Sequence, residues 1–166
     1  MRYLTRPKLA EAFQNAAKAG DKTFLLFNLL AKSGIRVSEA IRLKPKDILW
    51  EEEQLIIRGK GDKIRNVDIP GELILLLQVY MKNHKLKQNQ RFFPVTRQAV
   101  SHLTKKYANC NAHAFRHTYA INLLRATQDI SYVQKQLGHS SLEVTGVYLQ
   151  FSDYKEAKKK LGELYI

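Results

Sequence analysis

The stretch HAFRH, residues 113 to 117, puts His113 three places before Arg116. Residues three apart on a helix lie on one face, so an imidazole and a guanidinium at this spacing can grip a single anion together. The same spacing also describes an ordinary surface pair, and the stretch by itself does not choose between them. His117 points about 100° round the helix from Arg116 and reads as structural, bonding to backbone.

Four more stretches carry groups of comparable reactivity: SGIRVSEA at 33–40, RGKGDKIRNVDIP at 58–70, LGHSS at 137–141 and VTGVYLQ at 144–150. Taken singly, each has a plain reading. Arg36 is a surface arginine near a helix start, and Glu39 a first-turn or capping acid. GKGDK is a hairpin turn with solvated lysines. LGHSS is a helix C-cap followed by an N-cap, with His139 in the loop. Tyr148 is one of eight tyrosines; Tyr119, Tyr132 and Tyr154 have helical contexts that suit core or rim positions.

The elements that must hold these groups are mostly helical. Thr5 and Pro7 start a helix with an apolar stripe of Leu9, Ala12, Phe13 and Ala16, ended by Gly20. Asp21 caps a second helix that runs to Gly34, and a short helix follows in VSEAIRL, stopped by Pro45. DILW, QLIIR and IRNVDI are β-prone runs split by EEE and GKGDK, which predicts a small antiparallel sheet of about three strands between residues 46 and 69. Helical periods resume in GELILLLQVYMKN, RQAVSHLTKKYA, HAFRHTYAINLLRA, ISYVQKQLG, LEVTGVY and YKEAKKKLGEL. The expected fold class is mainly α with a small three-stranded antiparallel sheet (α+β), in one domain over residues 1–166.

Composition narrows the partner. The chain has 166 residues, 45% of them hydrophobic, enough for a real core. Lys and Arg number 28 against 15 Asp and Glu, a net charge of +13 that suits a polyanion such as nucleic acid. Cys110 is the only cysteine, which excludes an internal disulfide and a cysteine-built zinc site. The longest apolar runs, TFLLFNLLA and LILLLQVYM, are shorter than the roughly 20 residues a bilayer requires. MRYLTRPKLAEAF lacks the apolar core of a signal peptide. The expectation is a soluble, cytoplasmic, nucleoid-associated protein with no membrane partner.

In their order along the chain, the five stretches together resemble the catalytic domain of the tyrosine recombinases, the lambda-integrase and Xer-type family, over nearly the whole sequence. The resemblance implies the tyrosine recombinase catalytic-domain fold and a set of roles. Arg36 matches the first family arginine and Glu39 the acid that supports it. Lys60 matches the lysine of the β-hairpin, His113 and Arg116 match H-x-x-R, His139 the later histidine, and Tyr148 the nucleophile. The implied reaction is attack by Tyr148 on a DNA phosphodiester, giving a 3′-phosphotyrosyl bond and a free 5′-hydroxyl. Strand exchange and religation follow.

Physical chemistry explains why such residue types are needed. Two arginines can clamp non-bridging oxygens whose charge grows in the transition state. A phenol with a pKa near 10 needs help with its proton at neutral pH, the role assigned to His113. Lys60 can protonate the leaving oxygen as a general acid, and His139 can add a hydrogen bond to the phosphate. Neither metal nor other cofactor is implied, since the arginines supply the charge. Lys63 and Arg65 are expected on DNA backbone. The expected partners are double-stranded DNA and further copies of the chain, in a dimer or tetramer on that DNA.

Departures from the family pattern are Phe115 in place of leucine, which keeps an apolar filling, and YLQF after the tyrosine. Gly146 weakens a helix at that point by about 1 kcal/mol against alanine. Family members also carry an N-terminal helical domain; the expectation is that it is absent and that the chain is a fragment or a minimal member. The alternatives are a type IB topoisomerase-like DNA-relaxing enzyme and a non-catalytic DNA-binding domain.

Overall fold

The structure is a computed structural model that describes residues 3–138, 159 and 161–164. Helix α1 (Arg6–Ala19) leads through Gly20 into α2 (Asp21–Ser33), and a sharp turn at Gly34 precedes the one-turn helix α3 (Val37–Ala40). Strands β1 (Ile48–Leu49), β2 (Gln54–Arg58) and β3 (Ile64–Asp68) form an antiparallel sheet in the order β1-β2-β3. Helices α4 (Gly71–Asn83), α5 (Arg97–Ala108), α6 (His113–Thr127) and α7 (Ile130–Leu137) follow. The mainly helical architecture with one small three-stranded sheet is the one expected.

Helix α2 is apolar nearly all round, the pattern of a central helix, and it packs against α1, α4 and α6. Leu25, Leu26, Phe27, Leu29 and Leu30 are all buried, each contributing about 1.5–3 kcal/mol relative to exposure. Phe115, in α6, is fully buried against Phe27, with ring centroids 5.0 Å apart. The phenylalanine that departs from the family pattern therefore packs as an ordinary core residue. A smaller apolar cluster of Ala120, Leu124, Val133 and Leu137 joins α6 to α7.

Two helix starts differ from the sequence expectation. Thr5 occupies the N-cap of α1, but its side chain makes no capping bond. Asp21 is the first residue of α2 rather than its cap, and Gly20 holds the cap position. The Asp21 carboxylate instead pairs with His84 Nε2 at 2.5 Å, tying the start of α2 to the end of α4.

In the sheet, Leu55 lies opposite Val67 and Ile57 opposite Arg65. Side chains two apart in a strand share a face, so Arg65 belongs to the same inward set as the buried Leu55, Ile57 and Val67. β3 is an edge strand. Its Asp68 amide donates to Gln136 Oε1 of α7 at 2.8 Å, which satisfies an edge N–H that the sheet leaves open.

Helices expected over 142–148 and 154–164 fall largely outside the described residues, although 159 and 161–163 are helical. No helix among the described residues is long and apolar enough to cross a membrane.

Candidate active site

The two motif arginines meet at one turn. Arg36 follows Gly34, the left-handed C-cap of α2 at φ 67°. Arg116, from α6 and 82 positions further along the chain, donates from Nη1 to the Gly34 carbonyl at 2.7 Å. Its Nη2 donates to the Leu137 carbonyl at 2.7 Å, at the end of α7. Arg116 is only 6% exposed, and these bonds fix its plane between the turn that carries Arg36 and the helix that leads to His139. The turn itself admits only glycine at residue 34. A Cβ there would run into the Tyr119 ring as well as straining the left-handed backbone.

Arg36 is held from the other side by Glu39. The Arg36 amide donates to Glu39 Oε2 at 3.2 Å, a first-turn acid satisfying an N-cap N–H. Arg36 Nη1 donates to Glu39 Oε1 at 3.3 Å. The Arg36 side chain is 39% exposed and that of Glu39 2%, so the arginine looks outward from a buried brace. Arg65 reaches the same carboxylate from β3, with Nη1 on Oε1 at 3.1 Å and Nη2 on Oε2 at 2.9 Å. Burial alone would push the Glu39 carboxyl up, but the bonds and charge of Arg65, then those of Arg36, hold it below the ordinary carboxylate range.

The expected groups sit at different depths. Lys60 is exposed, in a short 3-10 turn (Lys60–Asp62) at the tip of the β2–β3 hairpin. Gly61 and Asp62 both have positive φ there, as a tight reversal requires. Arg36, Lys60, Lys63 and Arg65 line one open groove. His113 opens α6, next to an amide that Asn111 Oδ1 caps at 3.0 Å. It is exposed, one turn from the buried Arg116, and shares a second shallow notch with Arg36 and Arg97. Arg36 borders both hollows and links the hairpin side to the His113 side. His117 lies edge-on to His113, with centroids 5.3 Å apart. His139 and Tyr148 lie outside the described residues.

Arg65, expected on DNA backbone, is mostly turned inward. Its side chain is 14% exposed, turned under the hairpin onto Glu39 rather than outward with Lys63. The sequence held a signal for this: Arg65 has the strand phase of Val67 and Ile69, not that of Ile64 and Asn66. The support from Gln136 and Asp68 also went unread. Gln136 is buried and bonds Asp68 through both its backbone amide and its carboxylate.

Two of the rival tyrosines are poorly disposed to act as nucleophiles. Burial, then the neighbouring Tyr132 and Asp68, push the Tyr119 phenol far above its ordinary value. Burial, then a 2.8 Å hydrogen bond to Asp68 and that carboxylate's charge, push Tyr132 up to about 12. Both phenols are harder to deprotonate near neutral pH than a free one.

Residues 3–155 match the model of the phage integrase family. The tyrosine recombinase XerH of Campylobacter jejuni is 35% identical over 167 residues, covering 89% of this chain and 47% of that protein. XerA of Pyrococcus horikoshii is 33% identical over 159 residues, covering 87% and 55%. The chain thus spans about half the length of the curated relatives it matches. Among solved structures, an XerA recombinase superposes with a TM-score of 0.72 at 25% identity, over 98% of this chain and 64% of that one. The catalytic domain of bacteriophage HP1 integrase superposes at 0.74 and 20% identity, over 96% and 94%, a likeness of fold. With a match that runs from the first helix through Tyr148, this chain belongs to the phage integrase family.

Proposed function

We propose that the chain is the catalytic domain of a site-specific DNA recombinase of the integrase type, acting in the cytoplasm on the nucleoid. Tyr148 attacks a phosphodiester of double-stranded DNA and forms a 3′-phosphotyrosyl bond, which a 5′-hydroxyl of another strand later reverses. Arg36 and Arg116 hold the non-bridging oxygens, and His113 takes the phenolic proton. Lys60 protonates the leaving 5′-oxygen, and His139 adds a hydrogen bond to the phosphate. Copies of the chain assemble on DNA as a dimer or tetramer.

The observation that carries this reading is the meeting of the two motif arginines. Arg116 bonds the carbonyl of Gly34, two residues before Arg36, so positions far apart in sequence converge on one turn. His113 and Lys60 border the hollows on either side of Arg36. Forked cations fixed in advance, next to an exposed imidazole and an exposed ammonium, suit charge developing on a phosphate. The net charge of +13 suits the polyanion that carries it.

Covalent capture on nicked duplexes from a randomised pool tests the proposal. The wild type should trap a covalent DNA adduct on Tyr148, and Tyr148→Phe should abolish it while retaining DNA affinity. An adduct mapped to Tyr119, Tyr132 or Tyr154 would contradict the assignment. Relaxation of supercoils without any joining of new strands would favour the topoisomerase alternative.

A further inference from the structure

Arg65 is the residue whose placement the proposed reaction does not by itself explain. It stands on the inward face of β3, opposite Ile57 and in phase with the fully buried Val67. Its guanidinium makes three kinds of contact at once. Nη1 and Nη2 take the two oxygens of Glu39 in a forked pair. Nε donates to the Gln136 carbonyl at 3.2 Å, in the last turn of α7. Gly138 lies close beside the guanidinium: a Cβ at residue 138 would come within 3.1 Å of Cζ.

Three segments are tied together by this one side chain. They are α3, where Glu39 braces Arg36; the hairpin that carries Lys60; and the end of α7, two residues before His139 in the chain. Arg116 takes the very next carbonyl, that of Leu137. Successive carbonyls at the end of α7, which a helix leaves without intrahelical partners, are therefore held by two arginines from different elements. A planar fork with five donors suits this and a lysine ammonium does not.

We propose that Arg65 is a positioning residue for the strand-cleavage reaction: by clamping Glu39 and the end of α7 together, it sets the direction of Arg36 and the seat of the segment that leads to His139. It acts from beneath the groove rather than as a phosphate contact. The inference rests on the recombinase reading for its effect on rate, but its structural half stands apart from that reading.

The test compares Arg65→Met, Arg65→Lys and the double variant Arg65→Met/Glu39→Gln with the wild type. Three quantities are read: thermal midpoint, affinity for a 30-base-pair duplex across a salt series, and single-turnover adduct formation at saturating nicked duplex. A positioning role predicts an unchanged salt slope for Arg65→Met and a cleavage rate lower by about 10²-fold, the scale of a misplaced catalytic group. Arg65→Lys keeps the charge but not the fork, and should stay slow. The double variant removes the buried carboxylate charge along with its partner. It should regain most of the lost thermal midpoint and yet cleave at least about tenfold more slowly than wild type.

Recovery of wild-type cleavage in the double variant would overturn the proposal, since Arg65 would then only neutralise a buried charge. So would a salt slope lower by about 0.9, the signature of one lost phosphate contact, with cleavage intact at saturation. If the wild type forms no adduct with any duplex, the recombinase reading is what fails. The salt series still decides whether Arg65 faces inward or meets DNA.

Discussion

Arg116 is almost wholly buried and donates to two backbone carbonyls on different elements, whereas Lys60 stands exposed on a turn whose next two residues are both left-handed. The arginine side of the site is braced from within: the Gly34 turn, α3, α6, α7 and β3 all take part in the bonds that hold Arg116, Arg36, Glu39 and Arg65. The lysine side is the tip of a hairpin projecting over an open groove. In the proposed reaction the difference suits two kinds of work. Stabilising charge that develops on a fixed phosphate gains from donors that need no reorganisation. Delivering a proton to a leaving oxygen needs reach, and tolerates a group that arrives with the substrate.

If the contrast is right, substitutions on the two sides should differ most in stability. Arg116→Met removes two charge-assisted bonds and strands two buried carbonyls, so unfolding free energy should drop by about 4 kcal/mol. A denaturant titration that found less than about 1 kcal/mol would place Arg116 outside the core. Gly34→Ala should cost about 3 kcal/mol, from the left-handed backbone and the overlap with Tyr119. Tyr119→Ala should relieve the second part, and a double-mutant cycle that found no coupling between the two would contradict the packing described.

A smaller effect concerns acid. Glu39 has a folded pKa below its ordinary 4.5, so its stabilisation is complete above that value. It is lost as pH falls through the lower folded value. Asp68 and Asp21 are lowered too, and share the acid limb. The difference between wild type and Glu39→Gln should therefore shrink below pH 4.5, and a difference constant from pH 7 to 3 would argue against the charged brace. Smallest of all, Lys60→Ala should leave unfolding free energy within about 0.5 kcal/mol of wild type, as for an exposed loop position.

Much of this was legible in the sequence, but unevenly. Strand phase and turn residues placed the sheet, since Leu55, Ile57 and Val67 alternate cleanly around GKGDK. Apolar period placed α4 and α5 over the expected residues. What sequence reading lost was the third dimension of the charged residues. Arg65 looked like one more lysine-like charge beside Lys63 because a cation on a basic hairpin is by default solvated. Its inward phase outranked its residue type only because Glu39, 26 positions earlier, supplies a buried counter-charge. Asp21 likewise looked like a helix cap, and a histidine 63 positions away claims it instead. Long-range pairing of polar groups has no period to read.

The division of labour proposed between the braced arginines and the exposed lysine is tested most directly by changing the leaving atom. A 5′-bridging sulfur departs as a thiolate, whose parent thiol is far more acidic than an alcohol, and needs no proton in the transition state. Lys60→Ala should be slowed by on the order of 10²–10⁴ on ordinary DNA and largely restored on the sulfur-substituted strand. Arg36→Ala, which loses stabilisation of oxygens that the substitution leaves in place, should stay slow on both. Single-turnover cleavage rates for the two variants on the two substrates give the answer. A Lys60→Ala defect that sulfur fails to relieve would contradict the assignment of the hairpin as proton donor.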